Sequence, residues 1–154
     1  MKTAGFTLIE LVVTIALLAI VAAYAVPRLF QASTFQSRGF YDKATTVVRA
    51  AQKTAVAWRR NVFVCVTSGN IKAGTSSGCT PLLRRPTGDF VTEDATSGVT
   101  LNTLTFGFDG LGRPVDSTGV PLTAATTITF TSTIAGDPAR QITVVAETGH
   151  VTAN

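Results

Sequence analysis

The chain opens on an apolar block with a single interruption. From Phe6 to Val26 nearly every side chain is hydrocarbon, and the one ionised group inside the block is Glu10. At 1.5 Å per residue a helix of this length spans roughly 30 Å, the thickness of a bilayer core. Past Pro27 the pattern turns from continuous to periodic. Phe40, Ala44, Val47, Ala51, Ala55 and Trp58 recur at spacings of three and four, with Val48 beside them. That period predicts an amphipathic helix as far as Arg60, its apolar stripe turned toward a sheet. Trp58 is expected to anchor the core at the end of the stripe. Arg38, Lys43, Arg49, Lys53, Arg59 and Arg60 fall mainly off it. They read as a solvated face, or as a basic line that could track phosphates. Gly39 weakens the helix by about 1 kcal/mol relative to Ala. Pro27 removes a backbone hydrogen bond and predicts a kink.

From Asn61 the period shortens to two. NVFVCVT is β-rich, and SGNIKAGTSSGCTPLLRRPTGD reads as a loop. VTLNTLTFGFD, TTITFTST and RQITVVAET alternate as strands. Val99, Leu101, Leu104, Phe106 and Phe108 supply core, with a change of parity between Leu101 and Leu104 that suggests a bulge. Ile128 and Phe130 share one face, as do Ile142 and Val144. Turns are signalled by DGLGRP, AGDP and ETGH, the last leading to a short final strand over His150–Thr152. Strands joined by short Gly-rich turns pair antiparallel. The expected fold is α+β: a long N-terminal helix packed on an antiparallel β-sheet domain, as one sheet or a pair of small ones.

Charge and composition narrow the chemistry. The 154 residues carry a net charge of +4, and Lys2 and Glu10 are the only ionised side chains before Arg28. A mildly basic remainder permits weak attraction to anionic lipid or nucleic acid without demanding it. One His, one Met and two Cys give no metal site and imply no cofactor. His150 has no nucleophile at a recognised spacing. FTSTIAG is no nucleophile elbow, DGLGRP is no nucleotide loop, and DFVTEDATSG fits no calcium loop. No catalytic residue emerges, and the chain does not read as an enzyme. A Cys65–Cys79 bridge would close a loop of about 15 residues and add roughly 3 kcal/mol. It is expected if the domain lies outside the cytoplasm; two unlinked buried thiols are the alternative.

Three readings compete for the apolar block. Lys2 and the small-x-small Ala23-Tyr24-Ala25 fit a cleaved signal peptide that releases a secreted β-domain, although the block is longer than an ordinary signal core. A plain membrane anchor fits the length but leaves Glu10 unexplained, since an acid deep in a membrane helix costs about 3 kcal/mol. The third reading uses the acid. Cleavage between Gly5 and Phe6 would place a new α-amine one helical turn from Glu10, and a cation there would neutralise the carboxylate in a low-dielectric setting.

The stretch MKTAGFTLIELVVTIALLAIVAAYAVP resembles the N-terminal signature of type IV prepilins and type II secretion pseudopilins. The resemblance implies cleavage after Gly5 by a prepilin peptidase, N-methylation of Phe6 and an assembly role for Glu10. It implies a leader over 1–5, a transmembrane and assembly helix over 6–27, an amphipathic helix over 28–60 and a β-rich globular domain over 61–154. The partners implied are other pilins or pseudopilins, the peptidase and the inner membrane, with the β-domain in the periplasm before assembly into a pilus or pseudopilus.

VRAAQKTAVAWRRNVFVCV, FGFDGLGRPV and RQITVVAETGHV are similar to GspH/FimT-type minor pilins, and the last two also resemble the MshC-like subgroup. Some FimT-like proteins bind DNA through a basic motif after the final Gly. Here Thr148-Gly149-His150-Val151-Thr152 carries no Arg, and Gly149 reads as a turn glycine. Arg84, Arg85 and Arg140 remain as the candidate nucleic-acid set of a DNA-capturing tip pilin.

Overall fold

The computed structural model describes residues 7–154; of residues 25–32 it describes the helical backbone and not the side chains. Gly5 and Phe6 lie outside the described residues; at Pro27, where a kink is expected, the helical backbone continues without interruption. The chain forms two compact units, 1–35 and 36–154.

Helix α1 runs from Leu8 to Trp58. Within the second unit its buried face is Phe40, Tyr41, Ala44, Val47, Val48, Ala51 and Ala55, the periodic stripe with Tyr41 added. The helix stops two residues short of Arg60 because Arg59 takes a left-handed φ of 50°. The Arg59 amide then donates to the Val56 carbonyl at 3.3 Å and the Arg60 amide to that of Ala55 at 3.2 Å. This pair of bonds is the Schellman stop, made here without its usual glycine. Gly110 allows it, since a side chain there would come within 2.8 Å of the Arg59 backbone. Trp58 is not in the core: it is 50% exposed, because the buried stripe ends at Ala55 and the chain turns away at Arg59.

Nine strands follow: β1 (Val62–Thr67), β2 (Asn70–Gly74), β3 (Thr92–Asp94), β4 (Val99–Leu101), β5 (Leu104–Phe108), β6 (Pro114–Val115), β7 (Thr126–Ser132), β8 (Arg140–Val144) and β9 (Val151–Ala153). They make two antiparallel sheets, ordered β3-β2-β1-β5-β6 and β4-β7-β8-β9. The fold is therefore α+β with a pair of small sheets. VTLNTLTFGFD, read as one bulged strand, is two strands in different sheets. The parity change marks where the chain leaves one sheet for the other. Asn102 covers the break: its Nδ2 donates to the Thr127 carbonyl, and its Oδ1 accepts the Thr129 amide at 2.7 Å. The stretch read as a loop from Ser68 contains β2, which returns along β1 with Thr67 opposite Asn70.

One hydrophobic cluster joins the helix stripe to Val64 and Phe106 of the first sheet and to Ile128, Phe130, Ile142 and Val144 of the second. Phe130 meets Phe40 and Tyr41 edge-on at 5.7 and 5.2 Å, the favoured aromatic geometry. The Tyr41 hydroxyl donates toward the carbonyls of Gln141 and Asn154 at 2.9 and 3.1 Å, tying the chain end to the helix. Burial pushes the Tyr41 phenol up from its usual value. Strand β1 is buried on both faces because Phe63 and Cys65 pack on its far side with Cys79 and Val115. Cys65 and Cys79 are joined by a disulfide, which holds the following loop against that side.

Two polar devices fasten loops to the helix. Gln52 Nε2 donates to the carbonyls of Gly112 and Gly149 at 3.0 and 2.9 Å. Gly149 has φ 68°, and a Cβ there would collide with the Gly112 carbonyl oxygen, so the position admits glycine alone. The second device is a buried acid. The Asp137 carboxylate accepts the Ser37 hydroxyl at 2.5 Å and lies 2.8 Å from Arg140 Nη2 as an ion pair that has no hydrogen-bonding angle. The Asp137 side chain has no exposed surface. Burial opposes its charge, yet the Ser37 and Ser132 hydroxyls and the Arg140 guanidinium outweigh burial and hold the carboxyl below its ordinary value.

Gly39 sits in the helix, and a Cβ added there would meet nothing within 4 Å. Gly39→Ala is therefore expected to raise stability by about 1 kcal/mol, read by chemical denaturation of the full chain in detergent. A depressed carboxylate contributes stability above its ordinary value of 3.8 and loses it as the pH falls through the lower folded value. Asp137→Asn should lower stability at neutral pH and make the acid limb of the stability profile shallower. Arg140→Met, which strands the buried acid, should cost about 3 kcal/mol at pH 7 and less at low pH, where the acid is neutral.

Candidate functional site

The first described residue sets the start of the helix. Thr7 Oγ1 accepts the Glu10 amide at 3.3 Å, and the Thr7 carbonyl accepts the Leu11 amide at 3.1 Å. Thr7-Leu8-Ile9-Glu10 is a threonine cap with an acid three residues on, the pattern of a capping box. That signal was present in the sequence but was overshadowed by the apolar block. The cap fixes Glu10 in the first turn, where the positive end of the helix dipole favours a carboxylate.

Around Glu10 the helix surface is hydrocarbon. Leu8, Ile9, Leu11, Val12 and Val13 are exposed, and so are Ile15, Leu17, Leu18, Ile20 and Val21 farther along. A helix that is apolar all round requires cover from lipid or from other apolar surface. Among the described residues no helix is long and apolar enough to cross a membrane. The described side chains of the run end at Tyr24, whereas the expected span continues through Val26. The arrangement can do one thing chemically: it presents a carboxylate, without an ion-pair partner among the described residues, in a setting that rewards neutralisation by a cation.

The candidate nucleic-acid residues do not form one patch. Arg140 is on β8, only 12% exposed in its side chain, and is taken up by Asp137. Arg85 pairs with Glu93 at 3.1 Å, and Lys43 approaches the same carboxylate at 3.8 Å. Arg84 is exposed and lies over the Phe90 ring, 4.4 Å from its centroid. DGLGRP is a structural turn. Asp109 Oδ1 accepts the Leu111 and Arg113 amides, each at 2.9 Å, while Oδ2 pairs with the Arg113 guanidinium at 2.8 Å. Burial works against the Asp109 charge, but the Arg113 and Leu111 bonds prevail and hold it below the usual carboxylate value. Among the described residues no group of His, Cys, Asp and Glu could hold a metal ion.

Comparison with known proteins bears on this arrangement. Residues 1–26 match the family model of the prokaryotic N-terminal methylation motif. The chain is 32% identical over 81 residues to the type IV narrow pilus major component PilA5 of Thermus thermophilus, covering 52% of this chain and 70% of that protein. Two crystal forms of the type IV minor pilin FimU from Pseudomonas aeruginosa share its fold at 12% identity. Their TM-scores are 0.53 and 0.54, covering 76% and 77% of this chain and 91% and 87% of theirs. With an acid on an apolar N-terminal helix, a methylation motif around it, and a relative matched over most of its length, the chain belongs to the type IV pilin family, a family of structural proteins.

Proposed function

We propose that this pilin-family subunit is held in the inner membrane by its apolar helix, is cleaved after Gly5 and methylated on Phe6 by a prepilin peptidase, and then assembles through that helix into a pilus or secretion pseudopilus. The observation that carries the reading is Glu10, exposed in the first helical turn among exposed Leu8, Ile9, Leu11 and Val12. In a bundle of like helices the apolar surfaces replace lipid, and the Glu10 carboxylate sets axial register by pairing with a neighbour's terminal amine. Lys2 favours a cytoplasmic leader by the positive-inside bias, which leaves residues 61–154 on the periplasmic side. The disulfide agrees with an oxidising compartment. The stretches around Trp58, Gly110 and Gly149 support a GspH/FimT-type minor subunit.

The capping geometry offers a second role for Glu10, that of a helix-start residue, and substitution separates the two. Glu10→Gln keeps a side chain suited to a capping box and removes the charge. Thr7→Ala removes the cap, at about 1 kcal/mol, and keeps the charge. Filament assembly in cells, scored by shearing and immunoblotting, should fail in Glu10→Gln while membrane insertion persists. It should continue in Thr7→Ala. Normal filaments from Glu10→Gln would defeat the charge-pairing mechanism.

A further inference from the structure

A groove of about 390 Å³ on the 36–154 unit is lined by Lys53, Ala57, Trp58, Arg84, Arg85 and Pro86 among others, none of them acidic. Trp58, the one Trp of the chain, is half exposed at its edge. Arg84 is fixed without a carboxylate: its guanidinium covers Phe90, and Nη1 donates to the Gly88 carbonyl at 3.2 Å. The loop that carries it is ordered by its own backbone bonds, Arg85 to Asp89 at 2.7 Å and Val91 to Leu83 at 2.8 Å. Lys53 is exposed and forms no ion pair among the described residues. The groove thus offers two uncompensated cations, a half-exposed indole and the apolar side chains of Ala57 and Pro86, on a preorganised frame.

Two features decide which ligand this suits. A nucleic-acid strand is held by a row of phosphates, each met by a cation. Here Arg85 is neutralised by Glu93, and Arg140 lies in the other sheet, neutralised by Asp137. Two cations make too short a track. They suit a short peptide whose carboxylates flank an apolar side chain, with the carboxylates on Lys53 and Arg84 and the apolar group on Trp58 and Pro86. Tryptophan and arginine are also the residues on which protein interfaces concentrate their binding energy.

We propose that this groove docks an acidic segment of a partner protein, one with carboxylates on either side of an apolar side chain. None of its residues belongs to the apolar helix surface, so the proposal stands apart from the processing and assembly reading. The test uses the full chain in non-ionic detergent and a fluorescein-labelled peptide with glutamates flanking a Leu-Phe pair. Controls are its glutamine counterpart and an oligothymidylate. Anisotropy should show saturable binding of the acidic peptide alone, with a blue shift of Trp58 emission when unlabelled peptide is used. Lys53→Glu and Arg84→Glu should each weaken binding about tenfold. Both positions are exposed, so the fold should survive these changes. Arg60→Glu makes the same change of net charge outside the groove and should leave binding unaltered. Failure of the acidic peptide to saturate, equal weakening by Arg60→Glu, or tighter binding of the oligothymidylate would each overturn the proposal.

Discussion

The globular unit depends on one helix face narrow enough for two sheets to share. Ala44, Ala51 and Ala55 have no exposed surface and belong to the one buried cluster that takes in side chains of both sheets. Val47 and Val48 fill the space between them. A larger residue at any alanine would push a sheet outward, since a packed core has no slack to absorb it. The polar ties reinforce the same face: Tyr41 reaches the chain end, Gln52 reaches two turns, and Ser37 reaches the buried Asp137–Arg140 pair. Each runs from the helix to a segment distant in sequence, so the helix acts as the common reference for the second half of the fold.

What the sequence made legible is what depends on local period. The stripe from Phe40 to Ala55 followed helical spacing, and β7 and β8 followed strand alternation, because one face of each is buried and the other is not. Strand β2 was hidden: Asn70, Lys72 and Gly74 look like loop residues, and only pairing to β1 makes them a strand. The break at Asn102 was visible as lost parity but not as a change of sheet, since a side-chain amide standing in for the ladder leaves no periodic mark. Trp58 lies beyond the buried end of the stripe, a boundary that hydrophobicity alone does not mark.

The candidate functional residues divide in the same way. Glu10 was legible as the exception in an apolar block, and Cys65 with Cys79 as a spacing. The fate of the arginines was not. Arg140 is neutralised by Asp137 inside a fold that brings Ser37 beside them, and Arg84 joins Lys53 and Trp58 only because the β2–β3 loop packs near the helix end. Such groupings are made by tertiary structure, and no local pattern announces them.

The account's central claim is that a newly exposed amine on Phe6 exists to neutralise a carboxylate among hydrocarbon chains. Intact-mass and fragment-ion analysis of the subunit recovered from its native membrane tests this directly. The account predicts a chain that starts at Phe6 and carries one added methyl group on its terminal nitrogen. A chain that retains Met1, or one that begins at Val26, would contradict it.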